Sequence, residues 1–112
     1  MPPPANDMLH GTLDLLVLKT LSWGPRHGFA IATWLEQISD DRLRLEEGTL
    51  YPALYRMERR GWIVADWGVS ELNRRIKIYR LTAAGRRQLR EETSKWEDFS
   101  SIVAKVLRTA TA

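Results

Sequence analysis

The chain has 112 residues, with 17 Lys or Arg against 14 Asp or Glu, a net charge of +3 and no cysteine. That length supports one domain with a modest core, at a size where dimerisation adds useful burial. The lack of cysteine excludes disulfides, thiolate catalysis and Cys-ligated zinc, and it suits a reducing cytoplasm. No apolar run approaches the ~20 residues of a membrane span, and no signal-peptide pattern opens the chain, so no membrane partner is expected.

Residues 1–7, with Pro2-Pro3-Pro4, read as an extended or disordered leader. From Leu9 to Ser22 the apolar positions Leu13, Leu15, Leu16, Val17, Leu18 and Leu21 predict a helix buried on most of its surface. Gly11 or Thr12 is its expected cap, with Asp14 favourable in its first turn. Trp23-Gly24-Pro25 ends it. A second helix is expected over about 27–39, where Ile31, Trp34, Leu35 and Ile38 fall at i, i+3, i+4, i+7 and make one core stripe. Asp40 and Asp41 break it, and Leu43 and Leu45, alternating with Arg42 and Arg44, suggest a very short strand.

The third helix is expected over about 48–60. Leu50, Leu54 and Met57 form its inner face, with Ala53 at the edge. Half a turn away lie Thr49, Pro52, Tyr55, Arg56 and Arg59, with Tyr51 at the boundary. Pro52 is allowed because the first helical N–H groups have no intrahelical partner. Gly61 stops the helix. Residues 62–69 and 75–81 then read as the two strands of a hairpin, and Thr82 as the N-cap of a final helix running to about Leu107. The predicted fold is mainly α with a small β-hairpin (α+β): a winged helix-turn-helix over 8–82, followed by a long C-terminal dimerisation helix over 83–112.

Charge is concentrated in the second half of that pattern. Residues 73–90 hold seven Lys or Arg and no Asp or Glu, whereas residues 91–112 hold four acids against three bases. A local basic surface beside a helix with an outward Arg and Tyr face is the footprint of a protein that grips a polyanion, double-stranded DNA first. The last helix has its own pattern, Leu89, Trp96, Phe99, Val103 and Val106 at spacings of 7, 3, 4 and 3. That is an a/d seam which a second copy of the chain would cover.

The run Gly11-Thr12-Leu13-Asp14-Leu15-Leu16-Val17-Leu18-Lys19-Thr20-Leu21 with Gly24-Pro25-Arg26-His27-Gly28-Phe29 resembles the opening of PadR-type transcriptional regulators. Gly48-Thr49-Leu50-Tyr51-Pro52-Ala53-Leu54-Tyr55-Arg56-Met57-Glu58-Arg59-Arg60-Gly61 resembles that family's recognition-helix signature, and residues 75–85 resemble its wing and the start of its last helix. The likeness spans roughly residues 8–108 and matches the shorter subgroup, with a single C-terminal helix. It implies a bacterial, cytoplasmic, homodimeric repressor, with no cofactor. In multidrug-sensing members a Trp of the dimerisation helix stacks on flat aromatic ligands, and Trp96 matches that position, so the resemblance implies relief by a small aromatic effector. Trp62 stands where an aliphatic residue is usual, and Ile76 and Ile78 make the return strand more apolar than the family's typical wing.

The expected DNA contacts are Thr49, Tyr51, Pro52, Tyr55, Arg56 and Arg59 on the helix and Arg74, Arg75 and Lys77 on the wing. Arg can pair bidentately with guanine, Thr and Pro can touch thymine methyls, and Tyr can bond phosphates. Their plainer reading is a solvated helix face and a charged hairpin edge that avoids strand pairing. Arg80, Arg86 and Arg87 include at least one expected partner for Glu91 or Glu92. Trp96 has two readings, ligand stacking or dimer core. His10 and His27 lie far apart without Cys, so neither a metal nor a catalytic role is expected. No Ser-His-Asp set, P-loop or dinucleotide turn is present, so an enzyme is not expected. The alternative function is a winged-helix protein–protein interaction module without specific DNA binding.

Overall fold

A computed structural model describes residues 4–110, with side chains from residue 12 onward. Helix α1 spans Pro4–Leu21, strand β1 Arg26–His27, helix α2 Gly28–Ile38, helix α3 Glu47–Arg59, strands β2 Ile63–Val69 and β3 Arg75–Leu81, and helix α4 Ala83–Arg108. The leader expected over 1–7 lies partly outside the described residues, and its residues 4–7 are the first turns of α1 instead. A proline at the first helical position forfeits only an N–H that has no helical partner there, so Pro4 is a competent start. Asp14 is consequently mid-helix rather than in the first turn.

The core gathers one face of each early helix and the base of the hairpin. Leu13, Val17, Leu18 and Leu21 of α1 meet Ile31 and Leu35 of α2, Leu50, Ala53, Leu54 and Met57 of α3, and Ile63, Tyr79 and Leu81 of the strands. The inner face expected for the third helix is therefore the one buried. Ile38 departs from its expected core stripe and is 65 % exposed: it is the last residue of α2 and lines the open groove between α1 and α4, while Leu35 of the same turn is buried. Thr20, the one fully buried polar residue among those described, donates its hydroxyl to the Leu16 carbonyl at 2.8 Å and so satisfies itself within the helix.

Three antiparallel strands form the sheet in the order β1-β3-β2. Its third strand is not the expected Leu43–Leu45 segment but Arg26–His27, which pairs with Tyr79 and Ile78. Residues 43–45 have no ladder partner, and alternation without a partner makes no strand. His27 then caps α2, its Nδ1 accepting from the Ala30 N–H at 3.2 Å.

The junctions around α3 hold the hairpin and α4 at fixed positions. Gly61, at φ 77°, closes α3 with the Gly61 N–H on the Glu58 carbonyl and the Trp62 N–H on the Met57 carbonyl. That paired arrangement needs a left-handed residue, which glycine adopts without strain. Thr82 caps α4 by accepting from the Gly85 N–H at 3.0 Å, and its hydroxyl donates to the Gly61 carbonyl at 2.6 Å. Gly85 is buried where any side chain would strike the Trp62 carbonyl. One threonine and two glycines thus dock the start of α4 on the end of α3; α4 then packs along α1, with Leu89 against the core, and the longest dimension of the molecule is 64 Å.

Candidate nucleic-acid interface

Helix α3 separates its two faces sharply. Leu50, Ala53, Leu54 and Met57 are buried, while Tyr51, Pro52, Tyr55, Arg56 and Arg59 are exposed and Thr49 is half-buried. Tyr55 shows 62 % of its surface, and the Arg59 guanidinium sits 5.8 Å from its ring centre. Tyr51 lies against the start of α2: a Cβ on Gly28 would come within 2.8 Å of its ring. That close approach is why a glycine stands there. Pro52 lies in the second turn, not the first, and so deprives the Gly48 carbonyl of its helical donor; Gly48 is exposed, and water can satisfy it.

The hairpin continues this surface. Ile63 opposes Leu81, Ala65 opposes Tyr79, Trp67 opposes Lys77 and Val69 opposes Arg75, so one face of the sheet runs from the core out to the wing tip. The tip is a tight turn in which Asn73 takes a left-handed φ of 58° and its N–H bonds the Ser70 carbonyl at 2.9 Å. Arg74 and Arg75 are exposed there, and Arg75 stacks 4.3 Å above Trp67. Trp67 is a member of this surface that sequence reasoning missed; period-two alternation counted from Ile63 puts it on the same face.

Not every expected contact is a free cation. Lys77 donates to a Glu58 oxygen of α3 at 3.1 Å, tying the wing to the helix. That bond raises the Lys77 pKa above its ordinary 10.5, against a smaller opposing effect of burial. Arg56 is paired with Asp14 of α1. Arg80 pairs across the hairpin with Asp66 at 3.1 Å rather than with Glu91 or Glu92, and Glu92 instead accepts from Gln88 at 2.7 Å. Arg59, Arg74 and Arg75 have no carboxylate partner among the described residues. Arg60 stacks 5.0 Å over Trp62.

Helix α4 presents the apolar seam openly. Trp96 is 43 % exposed, Phe99 58 %, Val103 38 % and Val106 67 %, whereas Leu89, nearer the body, is partly buried against the core. Trp96, Phe99 and Val103 form one wall of a groove of about 1360 Å3 whose other wall is Leu15 and Leu16 of α1 with Ile38 and Leu43. No group of three or more His, Cys, Asp or Glu able to hold a metal occurs among the described residues, and no described helix is long and apolar enough to cross a membrane.

Three helices with a tight sheet, a polar outer face on the third helix and a basic wing beside it define a winged helix-turn-helix regulator. Residues 17–91 match the Transcriptional regulator PadR-like family, and the chain belongs to it. A PadR-like transcriptional regulator of Bacillus cereus is similar over 93 % of this chain and 99 % of its own, at 29 % identity and a TM-score of 0.80. A PadR family transcriptional regulator from Eggerthella lenta is 32 % identical over 95 % of this chain and 90 % of its own, with a TM-score of 0.79. A transcriptional regulator of Mycobacterium tuberculosis is 38 % identical over 60 % of this chain and 63 % of its own.

Proposed function

We propose that this transcriptional regulator is a cytoplasmic repressor that binds duplex DNA as a homodimer on a near-palindromic operator. The observation that carries the reading is the division of α3: its inner face is fully used by the core, while Tyr55, Pro52 and Arg59 project with no packing role. A helix held so rigidly from behind, with an outward Arg and Tyr face, suits insertion into a major groove. Arg74 and Arg75 on the wing lie where they can neutralise flanking phosphates, which supply most of the affinity and none of the base specificity.

The exposed seam of α4 supports the dimer. A helix of 26 residues extends about 40 Å, and the outer half of its apolar stripe is left exposed by the described residues. A second copy covers it with the same seam and fixes the distance between two recognition helices. The groove beside Trp96 supports a switch, in which a flat aromatic ligand between α4 and its surroundings alters that distance and releases the operator.

Selection of bound sequences from random duplexes with the purified protein tests the whole reading. It is expected to return paired half-sites about one helical turn apart. Reversing both Arg56 and Arg59 to Glu is expected to abolish binding without unfolding the domain. Absent or salt-insensitive duplex binding by the wild type would reject this reading in favour of a protein-interaction module.

A further inference from the structure

Among the cations of the α3 and wing surface, Arg56 has an unusual partner. Its Nη2 donates to Oδ1 of Asp14, a residue of α1 lying 42 positions earlier. The Asp14 side chain is 24 % exposed and the Arg56 side chain 44 %, so the pair is more shielded than the Arg44–Glu36 and Arg80–Asp66 bridges but can still open. Glu58, which holds Lys77, belongs to the recognition helix itself. Asp14 belongs to a different helix, the one whose Leu15 and Leu16 line the groove beside Trp96.

We propose that Asp14 is a specificity-determining positioning residue, which tethers Arg56 of the recognition helix and withholds it from non-specific phosphate contact. The proposal rests on the DNA-binding reading above. A free arginine at a DNA-facing surface neutralises whichever phosphate comes near, and each such contact adds to affinity for every sequence alike. An arginine that brings its own carboxylate is locally neutral. Swapping that carboxylate for a phosphate exchanges one anion for another, and the net charge facing DNA does not increase. The tether leaves most of the guanidinium's five donors unused, so a guanine edge in the right place can still be read by the rest of the fork. Arg59, with a Tyr ring but no carboxylate partner among the described residues, is the contrasting case and serves phosphate.

The test measures the affinity of the full chain for a mixed-sequence duplex and for the selected operator, across a range of salt concentrations. D14N is expected to bind the mixed-sequence duplex several-fold more tightly, with the slope of log K against log salt steeper by about 0.9. Its operator preference over random DNA is expected to shrink. D14N/R56Q replaces one neutral pair by another and keeps the wild-type slope on random DNA, whereas R59Q lowers it by about 0.9. The double variant leaves no unpaired charge, so it reads the same point should D14N fold poorly. E47Q neutralises an exposed carboxylate at the start of α3 that has no ion pair among the described residues, and so measures the general effect of removing an acid. A D14N effect no larger than that of E47Q, or a D14N/R56Q slope lowered as far as that of R59Q, overturns the proposal. A wild type without salt-dependent duplex binding overturns the DNA reading itself and this proposal with it.

Discussion

Helices α1 and α4 are both rich in apolar residues, and the fold uses them in opposite ways. In α1 the residues Leu13, Val17, Leu18 and Leu21 are buried by α2, α3 and the sheet, so the helix is the spine of the core. In α4 only Gly85 is fully buried, and Trp96, Phe99, Ile102, Val103, Val106 and Leu107 remain exposed. The difference follows from attachment. α1 packs against α2, α3, β3 and α4, whereas α4 is fastened at its start by Thr82 and Gly85, rests on α1 and β3, and leaves its outer apolar residues exposed. An apolar stripe tells that a surface needs covering, and the path of the helix decides whether the chain can cover it alone.

That contrast can be broken by substitution. Leu18→Ala, in the α1 face packed on the core, is expected to lower stability by about 2–5 kcal/mol, measured by urea unfolding, because it leaves a cavity among buried neighbours. Phe99→Glu is expected to convert a dimer to a monomer in sedimentation and to weaken duplex binding, while the folded domain keeps its secondary structure. Should Phe99→Glu instead lower stability as much as Leu18→Ala, the two helices would belong to one core and the contrast would fail.

The smallest effect sharpens the core side. Burial raises the Tyr79 pKa above its ordinary 10.0, opposed by the neighbouring Lys77 charge, and the Glu58 bond raises that of Lys77 above 10.5. Both folded-state values are raised, so their contribution to stability is complete below about pH 10 and is lost as pH rises through the raised values. Tyrosinate absorbance is expected to show one late-ionising ring among the three tyrosines. Tyr79→Phe should remove that late component, and its persistence would mean that Tyr79 is not the shielded ring.

Much of the frame was legible because its signals are local. The inner face of α3 follows from helical spacing, the hairpin limits of β3 from alternation and turn residues, and the Thr82 cap from a hydroxyl ahead of a helical run. The readings that changed are those that depend on neighbours distant in sequence. Strand β1 has only two residues, and nothing in Arg26–His27 marks a strand until β3 arrives beside it. Ile38 fits the α2 stripe by spacing, yet it lines the open groove between α1 and α4 instead of the core.

The same division holds for the charged surface. The sequence by itself determined four helices and a basic hairpin, which face of α3 turns inward, and that α4 carries an apolar seam, since each is a repeat within one element. Only the tertiary structure decided which cations are free. Among the described residues Arg59, Arg74 and Arg75 have no carboxylate partner, while Asp14 holds Arg56, Glu58 holds Lys77 and Asp66 holds Arg80. Periodicity fixes the direction a side chain takes from its own helix or strand, but an ion pair depends on where two elements cross, which is set by the packing of the core between them.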